Sequence, residues 1–126
     1  MKILFADDDP IIRQLYQRHL ERAGYEWIGV TNGCQALEAA AREHPQLAVL
    51  DIVMPELDGL SVILELKRTP STKAMPVILI TAEPSYYLCR REFTNAGAAA
   101  FLTKPFSPSQ LLEAIGRLIP SRVTVT

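Results

Sequence analysis

Four places in the chain set polar side chains directly behind short apolar runs. Ile3-Leu4-Phe5-Ala6 runs into Asp7, Asp8 and Asp9. Leu47-Ala48-Val49-Leu50 runs into Asp51, Val77-Ile78-Leu79-Ile80 into Thr81, and Phe101-Leu102-Thr103 into Lys104. Taken singly, each is ordinary: an Asp in such a place is commonly a turn former or a helix cap. Taken together, three carboxylates, a hydroxyl and an ammonium define a chemistry. Clustered carboxylates supply the hard oxygens that Mg²⁺ takes while keeping several waters. Their mutual repulsion is roughly 3 kcal/mol per pair at about 5 Å and an effective dielectric of about 20, and a divalent cation offsets it. A carboxylate held beside such a cation can attack phosphorus and form an acyl phosphate. A Lys ammonium and a Thr hydroxyl then meet the negative charge on the transferring oxygens. Asp9 stands apart, because Pro10 follows it. Proline suits the first position of a helix, which makes Asp9 the expected N-cap and leaves Asp7 and Asp8 for the metal.

Such groups work together only if strand ends bring them together. The runs Lys2-Ala6, Tyr25-Val30, Leu47-Leu50, Val77-Ile80 and Ala99-Thr103 are short and rich in aliphatic and aromatic residues, so they read as buried strands. Amphipathic segments lie between them. Ile12, Leu15, Tyr16, Leu20 and Ala23 share a helical face; so do Leu37, Ala40 and Ala41, then Leu60, Ile63 and Leu64, and finally Leu111, Leu112, Ile115, Leu118 and Ile119. Cys89, Phe93 and Ala96 form a weaker stripe in a helix expected near 86–96. Gly24 and Gly97 sit where helices should stop. Five β-α alternations imply a parallel sheet covered by helices on both faces, with right-handed connections. In a doubly wound sheet of this kind, ligands bind beyond the carboxyl ends of the strands.

The bulk numbers agree with one domain. The chain has 126 residues, 48% of them hydrophobic and 21% charged, with a formal net charge of −1. No basic field points to nucleic acid. Cys34 and Cys89 are far apart and in no metal-ligand spacing, which suggests two reduced thiols. No apolar run approaches the ~18 residues of a membrane span, and the expected location is the cytoplasm. The segment 120–126 after the last helix reads as a tail or the start of a linker.

The motifs 3-ILFADDDPIIR-13, 49-VLDIVMPELDGL-60, 77-VILITAE-83 and 96-AGAAAFLTKPF-106, in that order, closely resemble the receiver domain of two-component response regulators. The resemblance covers about residues 1–119. It implies a flavodoxin-like strand order 2-1-3-4-5 and a phosphorylation-controlled switch rather than a conventional enzyme. In that reading Asp51 accepts a phosphoryl group from the phosphohistidine of a sensor kinase or phosphotransfer protein. Asp8 ligates Mg²⁺ directly, Asp7 holds a metal-bound water, and the backbone carbonyl of Val53 is a further ligand. Thr81 is the switch hydroxyl, Lys104 the site lysine, and Phe101 the aromatic that turns inward on activation. Val53 and Glu83 would tune dephosphorylation. The resemblance also implies a cis Lys104-Pro105 bond, and output through the face of the fourth helix, fifth strand and fifth helix toward a downstream protein or effector domain. Two departures bear on that output. The segment from Thr81 to Gly97 is one residue longer than in chemotaxis-type receivers, and Ala99-Ala100 replace acidic residues that often precede the aromatic.

Other readings fare worse on the same residues. A Mg²⁺-dependent phosphatase of the dehalogenase type needs a second Asp two residues after the nucleophile, and Val53 occupies that place. No GxGxxG or GxxxxGK[ST] follows the first strand, against a nucleotide-binding domain. A receiver fold used as a phosphorylation-independent interaction module would not need the set Asp7, Asp8, Asp51, Thr81 and Lys104. His19, His44 and Trp27 are expected to be packing or surface residues, and so are Tyr86 and Tyr87.

Overall fold

A computed structural model of the chain describes residues 1–82 and 90–119. In chain order the elements are β1 (Lys2–Ala6), α1 (Pro10–Arg22), β2 (Glu26–Val30), α2 (Gly33–Glu43) and β3 (Leu47–Asp51). They continue with α3 (Gly59–Arg68), β4 (Val77–Thr81), α4 (Arg90–Ala96), β5 (Ala100–Thr103) and α5 (Pro108–Leu118). All strands pair in parallel in the order β2-β1-β3-β4-β5. The doubly wound fold expected from the β-α alternation is therefore the one observed.

Strand alternation divides the core in two. Leu4, Ala6, Ala48, Leu50, Val77 and Leu79 pack with Ala36 and Ala40 of α2, Val62, Ile63 and Leu66 of α3, and Phe93 of α4. Ile3, Phe5, Leu47, Val49, Ile78 and Ile80 face the other way, onto Tyr16 and Leu20 of α1 and Leu111 and Ile115 of α5. Because both faces are covered, the central strands are apolar through their interiors and show no polar alternation; their polar residues, Lys2, Asp51 and Thr81, stand at strand ends.

Helix starts follow local chemistry. The Asp9 carboxylate accepts from Ile11 N at 2.9 Å and Ile12 N at 3.4 Å, with Pro10 in the first turn, as expected of the N-cap. Asn32, Asp58 and Ser107 cap α2, α3 and α5 in the same way. The Lys104-Pro105 bond is cis.

The stripes need correction in phase. Leu15, Ala23, Ala41 and Leu64 are exposed, whereas Ala36, Ala39, Val62 and Leu66, not assigned to any stripe, are buried. A helix that lies against a sheet and also touches a neighbouring helix buries a wide arc, and spacing alone does not fix where that arc is centred. Trp27 stacks on Phe5 with ring centroids 4.9 Å apart, the packing role expected of it. Cys34 is a free, exposed thiol. Cys89, Tyr86, Tyr87 and the start of the helix expected near 86 lie outside the described residues, as does the segment 120–126. Among the described residues, no helix is long and apolar enough to cross a membrane.

Candidate functional site

The sheet ladder carries β1 one step further, because Asp7 N donates to Val30 O at 3.2 Å. Asp7 is thereby fixed at the strand end and fully buried. Its Oδ1 accepts from Asp9 N at 2.9 Å and its Oδ2 from Lys104 Nζ at 2.7 Å. Its backbone carbonyl accepts from Arg13 Nη1 at 2.6 Å. Asp8 is exposed. Successive side chains in an extended segment point opposite ways, but here the chain turns into Asp9, and carboxylate oxygens of Asp7, Asp8 and Asp51 all lie within 4.8 Å of one another.

Asp51 is the last residue of β3 and only 6% exposed. Both its oxygens are occupied: Oδ1 accepts from Val53 N at 3.0 Å and Oδ2 from Lys104 Nζ at 2.8 Å. The loop that follows folds back tightly. Ile52 N donates to Ile80 O and Gly59 N to Ile52 O, both at 2.9 Å, while Leu57 N reaches Pro55 O at 2.8 Å across Glu56, whose φ is 69°. A Cβ on Gly59 would lie 2.8 Å from Asp51 O and Ile52 Cα, so only glycine lets α3 start this close to the strand end. The fold-back leaves Val53 55% exposed.

Thr81 ends β4 and is buried; its carbonyl accepts from Lys104 N at 2.7 Å. The backbone therefore ties the hydroxyl residue to the lysine. Phe101 is partly buried in β5 and packs on Phe93 of α4, with centroids 5.8 Å apart and planes tilted by 34°. Glu83 lies outside the described residues.

Electrostatics follow from this geometry. Burial pushes the Asp51 carboxyl above the usual Asp range, against the Lys104 ammonium and the Val53 N–H, which stabilise its charge. Burial alone would lower the Lys104 pKa, yet its bonds to Asp51 and Asp7 outweigh that and raise it. One ammonium faces three carboxylates. The excess is negative, and every donor is a hard oxygen, which suits Mg²⁺ or a similar cation.

The structure thus brings Asp7, Asp8, Asp51 and Lys104 into one cluster, with Thr81 joined to it through the backbone. Two further contributors have little signature in the sequence. Arg13 is legible there only as a cation one turn into the helix behind the acids. Tyr16 belongs by spacing to the apolar stripe, yet its buried hydroxyl donates to Phe106 O at 2.6 Å, in the loop that carries Lys104.

Comparison with known proteins gives the same answer from independent information. The Response regulator receiver domain family matches residues 3–116. The chain is 39% identical over 119 residues to Response regulator MprA of Mycobacterium leprae, covering 94% of this chain and 51% of that protein. It is 37% identical over 115 residues to the alkaline phosphatase synthesis transcriptional regulatory protein PhoP of Bacillus subtilis, covering 87% of this chain and 45% of that one. The chain therefore spans about half the length of these relatives. Among solved structures, chemotaxis response regulator CheY4 of Vibrio cholerae superposes with a TM-score of 0.86 at 30% identity, covering 94% of this chain and 98% of that one. The receiver domain of sensor histidine kinase PA1611 from Pseudomonas aeruginosa, whose active-site cleft holds a magnesium ion, superposes with a TM-score of 0.85 at 29% identity, covering 95% and 98%. Sequence, fold and strand-end acid cluster agree, and the chain belongs to the response regulator receiver domain family.

Proposed function

We propose that this domain is a phosphorylation switch in which Asp51 accepts a phosphoryl group from a phosphohistidine. The observation that carries this reading is the Asp51 carboxylate, nearly buried, oriented on one oxygen by Val53 N and on the other by Lys104, within 4.8 Å of two further carboxylates. An Asp51 oxygen forms the new bond to phosphorus as the P–N bond to the donor imidazole breaks, and the bonding pair leaves with the imidazole nitrogen. Lys104 is already within hydrogen-bond reach of Asp51 and meets the added charge without first being assembled. Thr81, tied to the Lys104 backbone, offers its hydroxyl to a phosphoryl oxygen.

The donor set fits Mg²⁺: Asp8, Asp51 and the Val53 carbonyl would hold the ion, and Asp7 would bind it through a water. The magnesium ion in the active-site cleft of the PA1611 receiver domain supports a cation at this site. When bound, the ion would neutralise charge on the transferring group and on the acids. Asp7 keeps a structural task beside this, since it holds Lys104 and the Asp9 backbone.

Once Thr81 is drawn toward the phosphoryl group, Phe101 moves into the space released, and the face formed by α4, β5 and α5 changes shape. A downstream protein or effector domain reads that change; the cognate donor is a sensor histidine kinase or a phosphotransfer protein. Residues 1–119 form the switching unit, and Val53 and Glu83 tune the lifetime of the acyl phosphate, whose gain and loss the domain itself catalyses.

The test is mass spectrometry after incubation with Mg²⁺ and acetyl phosphate. One added phosphoryl group should map to Asp51 and be absent from Asp51→Asn. Labelling that survives this substitution rules the assignment out. Lys104→Ala should keep the fold but take the label more slowly and weaken signal output; normal output would remove Lys104 from the switch.

A further inference from the structure

Lys104 reaches the acids from a loop, and loops need anchors if a charge is to stay within a few tenths of an ångström of its partners. The backbone after Lys104 turns through Pro105 to Phe106, whose side chain is buried and whose carbonyl accepts from the Tyr16 hydroxyl at 2.6 Å. The two rings also stack, with centroids 4.8 Å apart and planes within 19°. Tyr16 stacks in turn on Phe5 of β1 at 5.6 Å, and Phe5 on Trp27 of β2 at 4.9 Å. An aromatic column therefore runs from the edge strand through the strand that carries Asp7 to the loop that carries Lys104. One turn earlier on the same helix, Arg13 holds the Asp7 carbonyl. So α1 grips the main chain on both sides of the Lys104–Asp7 ion pair.

We infer that Tyr16 is a positioning residue: its buried hydroxyl latches the β5–α5 loop to α1 and so holds the Lys104 ammonium on Asp7 and Asp51. The inference rests on the switch reading for its consequence, but the latch itself is a statement about Lys104. A phenylalanine would keep the stack and leave the Phe106 carbonyl without its buried donor. The loop would then be held by ring packing alone, and the ammonium would sample positions off the carboxylates.

Two measurements test this, one independent of phosphoryl transfer. Heteronuclear NMR of the Lys104 ammonium in the full chain should show proton exchange with water faster in Tyr16→Phe than in the unsubstituted chain, by about threefold to tenfold for the loss of one buried hydrogen bond. Equal exchange rates overturn the latch. The second is the rate of Asp51 labelling with Mg²⁺ and acetyl phosphate. Tyr16→Phe should slow labelling within the same range, about threefold to tenfold. In a Lys104→Ala background the same substitution should change nothing, because the group being positioned is gone. Ile3→Val, a core truncation at the other end of β1, controls for lost stability and should label at the normal rate. Additive effects of Tyr16→Phe and Lys104→Ala, or equal slowing by Ile3→Val, would show that Tyr16 acts through general stability and overturn the inference. Slower labelling with unchanged Lys104 exchange also overturns it. If the unsubstituted chain takes no label while Lys104 exchange still responds to Tyr16→Phe, the latch stands and the phosphoacceptor reading is the part that fails.

Discussion

Asp51 carries its carboxylate where burial works against the charge. Burial raises its carboxyl pKa in the folded chain, although Lys104 and Val53 N oppose the rise. A carboxyl whose folded pKa lies above its unfolded value favours the folded state most when protonated. That advantage is fully present below the unfolded pKa, near the ordinary Asp value of 3.8, and is lost as pH rises through the folded value. At neutral pH the ionised Asp51 therefore costs the fold something. An asparagine mimics the protonated form and should escape that cost. In metal-free buffer with a chelator, Asp51→Asn should unfold at a higher denaturant concentration than the unsubstituted chain at pH 7, and the difference should shrink as pH falls below 4. A less stable Asp51→Asn at pH 7 would mean that the Lys104 pairing outweighs burial and that the carboxylate supports the fold. Asp7 needs a different account. Fully buried and bonded to Lys104 and to Asp9 N, it is a structural acid whatever part it takes in the proposed metal site.

Elements place these residues through close backbone approaches that side-chain patterns do not reveal. Gly33, at the start of α2, lies so near the β3–α3 loop that a Cβ there would come within 2.0 Å of Leu57 O. That contact is with backbone, which cannot swing aside. Gly33→Ala should destabilise the chain by about 1–3 kcal/mol, or shift the loop that follows Asp51. Denaturant unfolding reads the first outcome, and backbone chemical shifts of Val53 to Gly59 read the second; an effect on neither means that α2 and the loop have room to spare. The sequence revealed what depends on local chemistry. Apolar runs ending in Asp, Thr and Lys marked the strands and the ends that meet in the acid cluster, and Pro10 behind Asp9 marked the cap. It revealed less wherever tertiary packing decides. The exposed Leu15 and Leu64 obey helical spacing as well as the buried Leu20 and Ile63 do, because period says nothing about which neighbours arrive. Arg13 and Tyr16 are hard to read for a related reason. Their partners are backbone carbonyls, of Asp7 and of Phe106, and every residue has one of those. The aromatic at position 16 is legible as core, but the direction of its hydroxyl is not.

Across the whole molecule, the cluster gathers the ends of strands that are not all neighbours. In the order β2-β1-β3-β4-β5, Asp7 and Asp51 leave adjacent strands, while Lys104 follows the edge strand β5 and passes the end of β4 to bridge them. The acids leave adjacent paired strands, so separating Asp7 and Asp8 from Asp51 means opening the sheet, and a ligand held by these acids should report on global unfolding. The unfolded chain keeps Asp7 and Asp8 adjacent but leaves Asp51 far from them, so a cation that needs all three binds the folded state alone. Mg²⁺ should then raise the unfolding free energy as its concentration grows, by about 2.7 kcal/mol once free metal reaches about 100 times its Kd. The rise should be logarithmic in free Mg²⁺ and vanish with a chelator. Asp8 is the acid on which to test the site, because it is exposed and its removal leaves the buried Asp7–Lys104–Asp51 contacts in place. Asp8→Ala should fold as well as the unsubstituted chain without metal, or slightly better as a repulsive charge is removed, and should gain almost nothing from Mg²⁺. If Mg²⁺ stabilises Asp8→Ala as strongly as the unsubstituted chain, the ion binds elsewhere and the strand-end acids need another explanation.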